Sequence, residues 1–170
     1  MNYGDLFAAL ARTLPDDAPA LVHNGAVTSW GDMSRRGNNL ARGFLEAGAA
    51  TGDKVAFYLR NHAAYMETLA ACFAARMTHV NINYRYVEDE LLYILDNSDA
   101  VVVVYDAEFR EQVESLRPRA PGRLKEELRQ EGPRFSPDLS RNSLESPKPS
   151  AGLGVYLPAF RCRFARRGRL

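Results

Sequence analysis

Asn83-Tyr84-Arg85-Tyr86 is the stretch whose residue types and spacing are best suited to chemistry on a ligand. It sets a guanidinium between two phenol rings. An arginine so placed can fork onto a phosphate, and the rings can stack on a nucleotide base. The plainer reading, favoured for the chain alone, is that Tyr84 and Tyr86 pack the loop while Arg85 pairs with Glu88 or Asp89. Other titratable residues offer less. His23, His62 and His79 have no partner at nucleophile or metal spacing, so they read as surface or packing residues. Cys72 falls on the apolar face of a helix and reads as core. Cys162 lies between Arg161 and Arg163 and reads as a reactive thiol at most. The acidic run Glu88-Asp89-Glu90 is a helix start before it is a metal site. No catalytic residue and no metal ligand is assigned.

The elements that must position this loop are legible around it. Thr78–Asn83 is short and β-branched, as a strand is. Glu88 onward reads as a helix with Val87, Leu91, Leu92 and Leu95 on its apolar side, ended by Asn97 and Ser98. Val101–Val104 is a continuous apolar run, as in a strand buried on both faces of a parallel sheet. Strand, helix and strand of this size imply a crossover and an α/β layer architecture. Upstream, Asp5–Leu14 has helical spacing. Ala20–His23 and Ala26–Thr28 flank Asn24-Gly25, a strong hairpin signal because both turn residues tolerate positive φ. Ser29 and Asp32 suit a capping box, opening a helix to about Ala47 with Met33, Gly37, Leu40, Ala41 and Phe44 on one face. Lys54–Leu59 reads as a strand and His62–Arg76 as an alanine-rich helix. Asp106 is expected to cap a last helix carrying Phe109, Val113 and Leu116.

The totals divide the chain. Its 170 residues carry a formal net charge of +1. Residues 1–132 hold 14 Lys/Arg against 19 Asp/Glu, whereas residues 133–170 hold 8 against 2. After Gly122 periodicity fails and proline, serine and arginine dominate, with extended character only at Val155–Leu157. Such a segment cannot bury enough apolar surface to offset its ordering entropy, so disorder is expected there. The cluster Arg161, Arg163, Arg166, Arg167 and Arg169 suits RNA or acidic lipid, though composition bias explains it more economically. Two cysteines far apart argue for reduced thiols and a cytoplasmic location. No basic, apolar leader opens the chain, and no apolar run approaches the roughly 18 residues of a membrane span.

Val80–Ala100, VNINYRYVEDELLYILDNSDA, resembles the early part of bacterial acyl-CoA synthetases of the adenylate-forming (AMP-binding) superfamily. The likeness runs from about Leu6 to about Arg119. Ala20-Leu21-Val22, Ser29-Trp30-Gly31-Asp32-Met33, Asn39-Leu40-Ala41 and Gly52-Asp53-Lys54-Val55-Ala56 fall in the family's order. Thr78-His79 departs from it, where a small residue and proline are usual. The resemblance implies a partial N-terminal subdomain of an adenylate-forming enzyme: α/β, a mostly parallel sheet with helices, preceded by a β-hairpin and followed by a disordered tail. The division expected is residues 1–121 for this domain and 122–170 for a basic tail, read as a wrong-frame product or an unrelated extension.

For an intact relative the resemblance implies ATP, Mg²⁺ and coenzyme A, with a fatty or other carboxylic acid as substrate. It places Tyr84, Arg85 and Tyr86 near the coenzyme A channel. It also requires a Ser/Thr/Gly-rich phosphate loop ending in Pro-Lys-Gly. Gly152-Leu153-Gly154 is too short for that, and Ser146-Pro147-Lys148-Pro149 lacks the glycines. The later Tyr-Thr-Glu motif, the ribose-binding Asp and the catalytic Lys are absent, as are P-loop and dinucleotide fingerprints. The expectation is therefore a truncated ligase relative that retains no cofactor and is inactive alone. The alternative is a non-enzymatic binding module whose basic tail holds an acidic partner; nucleic acid is not expected.

Overall fold

The computed structural model describes residues 2–116, Arg119 and the backbone of residues 153–156. Helix α1 (Tyr3–Thr13) begins two residues before the expected Asp5, because Asn2 caps it reciprocally. Asn2 Oδ1 accepts the Asp5 N–H at 2.9 Å, and Asp5 Oδ2 accepts the Asn2 N–H at 3.0 Å. Strands β1 (Pro19–His23) and β2 (Ala26–Ser29) form the expected antiparallel hairpin. Its turn needs two positive φ values, and Asn24 (50°) and Gly25 (77°) supply them.

Helix α2 (Trp30–Glu46) is capped by Ser29, whose Oγ accepts the Asp32 N–H at 3.1 Å. Only half of the expected capping box forms, since the Asp32 carboxylate turns to Arg35 at 2.5 Å. A charged donor one turn away attracts the carboxylate more strongly than a neutral backbone N–H does. Next come β3 (Lys54–Tyr58), α3 (Ala63–Ala74), β4 (Thr78–Asn81), α4 (Glu88–Ser98), β5 (Ala100–Asp106) and, after a 3₁₀ turn at Ala107–Phe109, α5 (Arg110–Ser115). Strand β6 (Leu153–Tyr156) overlaps the one stretch of the tail with extended character. The disorder expected for the rest of 122–170 lies outside the described residues.

The main sheet has the order β4-β3-β5-β6. β3 pairs in parallel with both β4 and β5, and β6 runs antiparallel to β5. Alternation along β3 and β5 sends side chains to opposite faces. Val55, Phe57, Val102 and Val104 meet Leu40, Ala41 and Phe44 of α2 and Ala71 and Cys72 of α3. Ala56, Tyr58, Val103 and Tyr105 meet Leu91 and Leu95 of α4 and Phe109, Val113 and Leu116. The sheet is thus covered on both faces, which explains the unbroken apolar run of β5. Each fully buried valine there contributes about 1.5–3 kcal/mol.

Helix α1 lies outside these layers and packs on the end of α3. Phe73 stacks with Tyr3 (5.2 Å between centroids) and meets Phe7 edge-on at 5.8 Å. The approach is so close that a Cβ on Gly4 would stand 2.3 Å from the Phe73 carbonyl oxygen. Among the described residues, no helix is long and apolar enough to cross a membrane.

Candidate functional site

Three parallel strands end at one edge of the sheet, where α/β folds bind ligands. The segments leaving that edge are Leu59–His62 after β3, Ile82–Val87 after β4 and Asp106–Phe109 after β5. The loop after β4 is built locally. Asn83 Oδ1 accepts the Arg85 N–H at 3.1 Å, and the Asn83 carbonyl accepts the Tyr86 N–H at 2.9 Å. An asparagine side chain closing a turn in this way is a standard use of that residue. From below, the buried Tyr58 donates its hydroxyl to the Tyr86 carbonyl at 2.7 Å. Burial, and next to it the Glu108 charge, hold the Tyr58 phenol above its ordinary pKa.

The expected site residues take these places. Tyr84 and Tyr86 are half-buried against the α4–α5 face of the core. Arg85 is exposed, with its guanidinium 5.7 Å from the Tyr84 centroid. The pairing weighed for it, to Glu88 or Asp89, does not form. Both carboxylates go to Arg119, at 3.5 and 2.6 Å. Arg119 reaches them from beyond α5, a partner that local spacing could not reveal.

Four residues that sequence reasoning did not assign to this edge complete it. Arg60 lies over Tyr84 at 4.8 Å and over Phe109 at 5.5 Å. Its guanidinium forks onto Glu108, with Nε donating at 2.5 Å and a terminal nitrogen at 3.0 Å. That fork holds the Glu108 carboxyl below its usual range and pushes Arg60 up. Asp106, expected as a helix cap, makes no cap bond. Its buried carboxylate accepts the Arg60 N–H at 2.7 Å and faces His62 Nε2 at 2.6 Å. Two donors converge on Asp106 from the β3 side, one of them ionisable, and they outcompete a terminal N–H. His62, read as a packing residue, is therefore a paired one. The Asp106 hydrogen bond raises its pKa against the opposing effect of burial. The signal that could have found Arg60 and His62 is positional: both lie in the few residues after a parallel strand, as Tyr84 and Arg85 do.

The remaining histidines match the packing reading. His79 lies 5.7 Å from the Phe57 ring and 6.3 Å from Phe73. His23 rests 6.5 Å from His62. Among the described residues, no group of three or more His, Cys, Asp or Glu is placed to hold a metal ion. The edge thus gathers two guanidiniums near one phenol ring, Arg60 engaged by Glu108 and Arg85 exposed, and the exposed one is suited to an anion attached to a flat base.

A family profile described as AMP-binding enzyme matches residues 7–153. The chain is 36% identical over 121 residues to 3-oxocholest-4-en-26-oate–CoA ligase of Rhodococcus rhodochrous, covering 71% of this chain and 22% of that one. It is 40% identical over 114 residues to feruloyl-CoA synthase of an Amycolatopsis species, covering 67% and 22%. It is also similar to the solved fatty acyl CoA synthetase of Mycobacterium tuberculosis, with TM-score 0.66 and 25% identity over 72% of this chain and 25% of that one. The chain spans about a fifth of the length of the curated relatives it matches. With the sheet, the hairpin and the profile in agreement, the chain belongs to the family of AMP-binding enzymes, in the company of acyl-CoA ligases.

Proposed function

We propose that this chain is part of an ATP-dependent acid–CoA ligase, that its β-strand edge contributes to the coenzyme A side of the site, and that the 170 residues alone do not catalyse adenylation. In such an enzyme ATP activates a carboxylate as an acyl-adenylate, and the coenzyme A thiol then takes the acyl group. The observation that carries the reading is Tyr84 flanked by Arg60 at 4.8 Å and Arg85 at 5.7 Å at the ligand-binding edge of a family member. The exposed Arg85 guanidinium suits a phosphate, and an aromatic ring of the loop suits a purine. Coenzyme A carries both groups.

The triphosphate of ATP finds no such match. The segments Leu59–His62, Ile82–Val87 and Asp106–Phe109 contain no glycine, so backbone N–H groups there cannot form the close cradle that a polyphosphate requires. No step through ATP or Mg²⁺ is therefore assigned to these residues. The acyl substrate belongs to the same reading: a fatty or ring-bearing carboxylic acid, as the names of the relatives suggest. A cytoplasmic location fits such an enzyme.

Two measurements test this. Carboxylate-dependent ATP–pyrophosphate exchange by the purified chain is expected at the blank rate, and a clear signal overturns the inactivity. Calorimetric titration with coenzyme A is expected to show weak binding that Arg85→Ala reduces. Equal affinity in the variant removes the loop from the site.

A further inference from the structure

Tyr84 lies in the loop after β4, while Glu108 lies in the turn after β5. These strands are not neighbours, since β3 runs between them. Arg60, which follows β3, spans the gap with its fork on Glu108 and its flat face on Tyr84. A free arginine side chain spreads over many rotamers and covers a ring only part of the time. Forking both edges of the guanidinium fixes its plane as well as its position. We infer that Glu108 is a positioning residue for the Asn83–Tyr86 loop, acting through Arg60.

Neighbouring contacts isolate this role. Asp106, not Glu108, anchors the Arg60 backbone. Tyr58 ties the loop at Tyr86 independently. The Glu108 and Arg60 side chains are each about half exposed, at 50% and 48%, so neither is buried in the core, although Arg60 also lies over Phe109. Removing the Glu108 charge therefore frees the Arg60 side chain and loosens Tyr84, while the strands beneath remain in place. The inference rests on the reading above only in calling this loop a ligand contact; the mechanical link stands by itself.

The test is amide hydrogen exchange on the full 170-residue chain, comparing wild type with Glu108→Gln and Arg60→Lys. Gln keeps the shape without the charge, and Lys keeps the charge without the fork. Each variant is expected to speed exchange at residues 84–87 by about 1.5- to 5-fold, the range of an exposed ion pair. Residues 54–58 are expected to be unchanged. The double variant is expected to add nothing further, because both changes cut one link. Unchanged exchange at 84–87 in Glu108→Gln, or equal acceleration in β3, overturns the inference. Coenzyme A titration separates the two claims. If wild type does not bind while Glu108→Gln still loosens the loop, the functional reading falls and the positioning role stands. If wild type binds and loop exchange does not respond, the positioning role falls alone.

Discussion

Asp106 shows how one residue changes meaning between sequence and structure. At the end of β5 it has the position of a helix cap, yet its buried side chain serves the β3 side through Arg60 and His62. The pH consequence has a definite sign. Asp106 raises the pKa of His62, so the folded chain favours the imidazolium. That stabilisation is fully present below the ordinary imidazole value of about 6.5 and is lost as pH rises through the higher folded value. His62→Gln is expected to flatten this part of the stability–pH curve, as read by urea melts across that window. Glu67 poses a different problem, as its side chain is 5% exposed and Arg36 pairs with it at 2.8 Å. Arg36→Ala leaves a buried carboxylate without its cation and is expected to cost about 3 kcal/mol in chemical denaturation, with Glu67→Met in the same chain recovering part. Cys72, fully buried with its thiol pushed up to about 12, is expected to resist thiol reagents until urea unfolds the chain. The contacts that make Asp106 and Glu108 informative join residues 46 and 48 positions apart. No periodicity encodes such pairs, which is why the residues gathered around Tyr84 could not be read from the sequence.

At the scale of elements, the helices were legible where an apolar face and a cap coincide. Met33, Gly37, Leu40, Ala41 and Phe44 of α2 are all buried, as their spacing implies. Phe109, Val113 and Leu116 are buried as well, but their helix opens with a 3₁₀ turn because Asp106 is engaged elsewhere. Helix α1 was legible as a helix yet not in its packing, for none of its residues is fully buried. What fixes it is backbone proximity. A methyl on Gly4 meets a carbonyl oxygen at 2.3 Å, whereas one on Gly37 comes no nearer than 3.1 Å, to the Ala70 Cβ, with backbone atoms at 3.5 Å and beyond. Gly4→Ala is therefore expected to cost about 2 kcal/mol by displacing α1 from Phe73, and Gly37→Ala about 1 kcal/mol or less. Urea denaturation of the two variants ranks them; the reverse order would mean that α1 adjusts freely on α3.

For the molecule as a whole, strand content and the parallel class were legible, whereas strand order was not. Thr78–Asn83, Glu88 onward and Val101–Val104 read as one strand–helix–strand unit, but β4 and β5 are separated by β3. Nothing in the unit itself announces the strand that must fit between. β6 covers β5 only from Val103 to Asp106. A chain ending after Arg119 would leave that edge open, and concentration-dependent association by light scattering is the expected result. The sheet order also bears on how the chain folds. β3 is the first of the three parallel strands to be synthesised, and both later ones dock against it. Each docking closes a non-local contact, the slow kind of step in folding. Substitutions in β3 should thus retard refolding, while those in β6, which arrives after a long connection, should mainly hasten unfolding. During translation the central strand would wait at the ribosome for its partners, first on one flank and then on the other.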